Sequence, residues 1–162
     1  MRAAVLIILA GLTTAGPALA AQSSIEVQIS PALRREAEKT LGVRDVQSLA
    51  DDLKREVGRS LARTGVLDGA RLELTLVDAK PNRPTMQQLG DRPGLSYESF
   101  SVGGATIEGK AIAVDGTVTP LRYRWYETDI RWARDRTTWA DASTAIEQFA
   151  HRLARGDTAP ER

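Results

Sequence analysis

The stretch LVDAKPNRPTMQQLGDRPG brings a carboxylate, an amide and two guanidinium groups close together in sequence: Asp78, Asn82, Arg83 and Arg92. Such a set could line a polar pocket, or work as an acid–base pair if a second carboxylate faces the first. Asp78 continues the alternation of Leu72, Leu74 and Leu76, so it is expected at the rim of the buried face, where it could line a cleft. The structural alternative is that Asp78 and Asn82 hydrogen-bond the loop backbone while Arg83 pairs with Asp78 or Asp91. That alternative is favoured, because a catalytic constellation needs more than adjacency.

A second candidate is aromatic. Trp125, Trp132 and Trp139 recur every seven residues, but the first falls in an expected strand and the last in an expected helix. They therefore do not mark one helical face, and core or boundary positions are the simpler reading. An exposed Trp132 between Arg131, Arg134 and Arg136 would instead suit a ligand with apolar and anionic parts, such as a glycan or a lipid head group. Arg122 and Arg124 alternate with Leu121, Tyr123 and Trp125, which places both arginines on the wet face of their strand.

Some chemistry is excluded by residue type. The chain has no cysteine and one histidine, His151, so a multi-histidine metal site and a Cys–His pair are ruled out. His151 falls near the end of the last expected helix and reads as a surface or boundary residue. Phosphate-loop, dinucleotide and nucleophile-elbow motifs are absent. Gly103-Gly104 lies between expected strands, which points to a bulge or a close backbone approach rather than a phosphate cradle. No cofactor and no metal are expected.

The elements that must position these groups follow from periodicity. Residues 25–29 alternate as a short strand, and Ser30-Pro31 opens a helix lined by Leu33, Ala37 and Leu41 that Gly42 interrupts. A second helix carries Val43, Val46, Leu49, Leu53, Val57 and Leu61 on one stripe, with Asp51 and Arg55 spaced to pair, until Gly65 stops it. Strands are expected at 71–77, 95–102, 105–114 and 121–126, with Thr85–Leu89 adding a helical turn to the loop at 79–94. A three-residue loop with Gly116 left-handed would keep Ile107, Gly109 and Ala111 on the aromatic face and set Glu108 opposite Arg122. Thr138–Asp141 resembles a capping box ahead of a helix carrying Trp139, Ala142, Ile146, Phe149 and Leu153. The expected class is α+β: a mainly antiparallel sheet of about five strands, with helices packed on one face.

Met1-Arg2, the apolar run from Ala3 to Leu12, the Gly16-Pro17 break and Ala18-Leu19-Ala20 form the three-part pattern of a secretory leader, with cleavage expected after Ala20. The apolar run is too short for a permanent span. The expected organisation is a signal peptide at 1–20, one domain at 21–156 and a polar tail at 157–162. Removing the leader, which holds one Arg and no acid, leaves basic and acidic residues equal in number. A chain with no net charge and no basic block is a poor binder of nucleic acid. It is expected in the periplasm, or outside the cell, with no transmembrane segment in the mature chain.

Residues 78–85 (DAKPNRPT), 103–109 (GGATIEG), 123–129 (YRWYETD) and 138–142 (TWADA) resemble an uncharacterised family of exported bacterial envelope proteins, across most of the mature chain. The resemblance implies export and carries no established activity. Combined with the missing catalytic set, it favours a non-catalytic binding or accessory protein that contacts another envelope protein, a glycan or a lipid head group. The alternative is a small hydrolase or lyase acting on envelope saccharides through carboxylates, with Asp78 foremost. Two carboxylates facing one cleft, about 5–10 Å apart, would be its signature.

Overall fold

A computed structural model describes residues 23–158. The expected leader at 1–20, its cleavage point and the last four residues of the polar tail lie outside the described residues. The chain forms β1 (Ser24–Ile29), α1 (Pro31–Glu36), α2 (Val43–Thr64), β2 (Arg71–Lys80), α3 (Met86–Asp91), β3 (Gly104–Ile112), β4 (Val118–Tyr126) and α4 (Ala140–Ala154). The class is α+β, with a four-stranded mixed sheet in the order β1-β2-β3-β4. β1 runs parallel to β2, whereas β2–β3 and β3–β4 are antiparallel. The expected count of about five strands is corrected to four; the pairing is mainly antiparallel as expected, with one parallel pair, β1–β2, making the sheet mixed. The helical crossover from β1 to β2 returns the chain in the same direction, as a parallel neighbour requires. The expected strand at 95–102 is instead a run of turns and loop.

Leu72, Leu74 and Leu76 on β2, with Ile107 on β3 and Leu121 and Tyr123 on β4, form the buried sheet face. Over it lie Leu33, Ala37 and Leu41, then Val46, Leu49, Leu53, Val57 and Leu61 of α2, and Ala142, Ala145, Ile146, Phe149 and Leu153 of α4. Each fully buried Leu or Ile of this kind contributes about 1.5–3 kcal/mol of transfer free energy. Ser30 caps α1 by accepting from the Leu33 amide, and α1 continues into one π turn at Ala37–Leu41 before Gly42. Val43, expected on the α2 stripe, is 55% exposed. Arg55 pairs with Asp52 rather than Asp51, whose carboxylate accepts from Gln47 at 3.0 Å. Both contacts lie on the solvated side, where a pair three apart is as accessible as one four apart.

The β3–β4 turn matches the sequence expectation. Val114, Asp115 and Gly116 form the loop, Gly116 is left-handed at φ 85°, and Glu108 lies opposite Arg122 at 3.2 Å. Asp115 accepts from the Thr117 amide at 2.9 Å, and that bond holds its carboxyl below the usual range. The second sheet face bears Glu26, Gln28, Glu73, Thr75, Asp78, Lys80, Thr106, Glu108, Lys110, Arg122, Arg124 and Tyr126, and no helix among the described residues covers it. Among the described residues no helix is long and apolar enough to cross a membrane.

Candidate functional site

Asp78 does not follow the phase of the leucines before it. Leu76 pairs with Ile107 and Asp78 with Thr106, so Val77 is an extra residue in β2, a β-bulge. The Val77 carbonyl accepts from Ser30 Oγ at 2.9 Å. The extra residue inverts every later position: Ala79 enters the core and Asp78 turns to the open face. There Tyr126 Oη donates to Asp78 Oδ2 at 2.5 Å and lies 3.0 Å from Thr106 Oγ1. With its one proton given to Asp78, the phenol can only accept from Thr106. Burial first, and the bond to Asp78 second, push the Tyr126 phenol up to about 12.

Gly104 makes room for this ring. It sits beside Tyr126 at φ 153°, and a Cβ there would come within 2.7 Å of a Tyr126 ring carbon and closer still to the Trp125 carbonyl. Gly103 also marks a close approach, since its Cβ would lie 2.7 Å from the Lys80 carbonyl and 2.9 Å from Asn82 Oδ1. Lys80 Nζ and Arg124 Cζ stand 5.4 Å and 5.2 Å from the Tyr126 ring centroid, and neither forms an ion pair among the described residues. Further along the same face, Glu73 pairs with Lys110 and Arg71, and Glu108 with Arg122. The Lys110 contact, more than Arg71, lowers the Glu73 pKa.

The other expected site residues do not join Asp78. Asn82 is fully buried: its Nδ2 donates to Asp141 Oδ2 at 2.5 Å and to the Ser101 carbonyl at 3.2 Å, and its Oδ1 accepts the Asp141 amide at 2.9 Å. The Gly103 amide also donates to Asp141 Oδ2, at 3.0 Å. Asp141 Oδ1 receives no hydrogen bond and faces Arg136 Nε at 3.5 Å. The expected Thr138–Asp141 capping box therefore gives way to a partner from far along the chain, Asn82, which satisfies an amide in the first turn of α4. Thr85 and Gln88, absent from the expected caps, do form a capping box at α3, inside the loop and within the expected helical turn.

Arg83 pairs with neither Asp78 nor Asp91. Its guanidinium donates to the carbonyls of Arg136 and Tyr97, each at 2.7 Å, and to that of Arg134. One side chain thus ties the 81–103 loop to the 127–139 loop. Arg92 is exposed just past α3. Trp132 is exposed, at 66%, in a short 3-10 turn whose Arg131 is paired with Asp129. Tyr97, also exposed, donates to Met86 Sδ at 3.3 Å, so the clamped loops present aromatic and apolar side chains to solvent. Trp125 and Trp139 pack against the core, and His151 is exposed on the last turn of α4.

The structure therefore unites Asp78, Arg124 and the unforeseen Tyr126, Thr106 and Lys80, and it assigns Asn82 and Arg83 to holding loops. Tyr126 is readable from sequence as a wet-face residue, but its link to Asp78 depends on the bulge. Among the described residues no group of three or more His, Asp or Glu is placed to hold a metal. No protein-family model matches the chain, and no curated protein matches it.

Proposed function

We propose that the protein is a non-catalytic binding or accessory protein of the bacterial envelope that takes an anion-bearing partner, an acidic glycan or a phospholipid head group, on its open sheet face. The observation that carries this is the pair of cations, Lys80 and Arg124, beside the Tyr126 ring without an acidic partner among the described residues. Other charges on that face neutralise one another, so the Tyr126 end keeps net positive character. Asp78 Oδ2 and Thr106 fix the ring, leaving the cations to meet a ligand. The clamped loop residues Trp132 and Tyr97 supply the apolar contact such a ligand offers. Export through a cleaved leader, a periplasmic location and kinship with exported envelope proteins complete the proposal, on the N-terminal pattern and the four segments quoted above.

A saccharide hydrolase fits less well. It needs one carboxylate with raised pKa and a second one free, whereas Glu73 is shifted downward and Glu108 is paired with Arg122. The test is titration of the protein with a uronic-acid oligosaccharide and with vesicles containing an anionic phospholipid. Binding to one of them that weakens roughly tenfold in Arg124→Ala, and falls with added salt, supports the proposal. Binding to neither, or binding untouched by Arg124→Ala and Lys80→Ala, overturns it.

A further inference from the structure

The two edges of the sheet are built differently. On β4, Ala113 donates to Thr117 and Glu127 to Gly103, so the odd-numbered residues bond to β3 and the even-numbered ones face outward. Pro120 occupies one of these outward positions and removes a donor from the middle of the edge, while Arg122 and Arg124 occupy others. Such an edge resists pairing. On β1, Ser24 donates to Ala70 and Ser30 to Leu76, so the even-numbered residues bond to β2. Ile25, Val27 and Ile29 therefore point both N–H and C=O outward, and among the described residues nothing pairs with them. Their side chains are only half-buried. No proline and no lysine guards this edge. Beside it, between β1 and α2, runs a groove of about 460 Å³ lined by Ile25, Leu61 and Ala62 but also by charged side chains, among them Asp51, Lys54 and Arg59.

We propose that the occupant of this edge is a second copy of the chain, pairing β1 antiparallel to β1 about a two-fold axis at Val27. This register is self-complementary. Val27 meets Val27, Ile25 meets Ile29, and each pair exchanges two main-chain hydrogen bonds. On the open face the only charged residue of the strand, Glu26, meets Gln28 of the second copy rather than another Glu26, so no like charges oppose each other. The two sheets become one continuous sheet with only protected β4 edges exposed.

Sedimentation or light scattering of the purified protein at roughly 0.1 mM tests the proposal, with twice the chain mass expected. Val27→Pro removes the outward N–H at the axis without touching a bond to β2 and is expected to give a folded monomer, checked by circular dichroism. Gln28→Glu sets Glu26 of each copy against the introduced carboxylate of the other, and is expected to weaken association about tenfold. Adding Glu26→Lys to Gln28→Glu turns both contacts attractive and is expected to restore it. If Val27→Pro does not fold, the two charge variants decide the matter. A protein that is monomeric at this concentration, or a dimer indifferent to Gln28→Glu, overturns the proposal.

Discussion

Two aspartates, Asp141 and Asp78, both hold a loop-side element in place, yet they do so in opposite ways. Asp141 is fully buried, and its Oδ2 and amide are taken by Asn82 and Gly103, while its Oδ1 faces Arg136. Asp78 is half-exposed, accepts one short bond from Tyr126, and looks onto an uncovered sheet face beside unpaired cations. A buried polar cluster is costly when one member is lost, because the groups left behind cannot turn to water. An exposed one can rehydrate. The contrast separates a carboxylate that builds the fold from one whose surroundings remain available to a partner.

Asp141→Ala should have the largest effect. It leaves one Asn82 Nδ2 hydrogen, the other still held by the Ser101 carbonyl, and the Gly103 amide without an acceptor in the interior, so a loss of about 3 kcal/mol is expected from urea unfolding, as a lower midpoint with unchanged slope. Asp78→Ala should cost about 1 kcal/mol by the same measurement. Equal losses would erase the distinction. Next comes Gly103→Ala, whose Cβ would strike the Lys80 carbonyl and Asn82 Oδ1. A loss of about 2 kcal/mol is expected, with faster amide exchange across 81–103, since the new methyl wedges the Asn82 cluster open.

Asp141 and Asp78 also differ in how far the sequence reveals them. The core stripes of α2 and α4, the alternating leucines of β2 and the Gly116 turn are legible because their partners are set by local periodicity and turn chemistry. The Asn82–Asp141 bond is not. A local reading gives the α4 terminus to Thr138, while the true partner arrives from the other side of β3 through tertiary folding. The Val77 bulge hides for a related reason. Leu76-Val77-Asp78-Ala79 carries no glycine or proline to announce an extra residue, and the bulge shows only in the pairing with β3. That one extra residue moves Asp78 to the opposite face. Residues 95–102 mislead in another way, since Leu95, Tyr97 and their neighbours suit a strand, but Arg83 takes the Tyr97 carbonyl and holds the segment as a loop.

Tyr126→Phe sharpens the Asp78 side of the comparison. It removes the donor to Asp78 and should cost about 1 kcal/mol at neutral pH. The raised phenol pKa means that the folded state favours the neutral ring. The stability it adds is therefore complete below the ordinary tyrosine pKa of about 10 and is lost as pH rises toward about 12. Between these values wild type should lose stability that Tyr126→Phe does not. The tyrosinate absorbance should lose its component near pH 12 in the variant. A titration that keeps that component after the substitution would place the tight phenol–carboxylate bond elsewhere.

The smallest stability effects should fall on the cations of the open face, where two arginines of one strand differ in a single respect. Arg122 is paired with Glu108 at 3.2 Å, whereas Arg124 rests against the Tyr126 ring. Both are exposed, so Arg122→Ala should cost no more than about 0.5 kcal/mol and that cost should shrink with salt. Arg124→Ala loses only an exposed ring contact and should change unfolding by a similar or smaller amount, about 0.5 kcal/mol at most. Their effects on ligand should diverge. Removing Arg122 frees Glu108 and spoils the field over the face modestly, while removing Arg124 deletes a cation with no acid to satisfy it. Binding of the acidic oligosaccharide or anionic vesicle should therefore fall more in Arg124→Ala than in Arg122→Ala. The reverse order would move the recognition site from the Tyr126 end of the sheet to the Glu108–Arg122 pair.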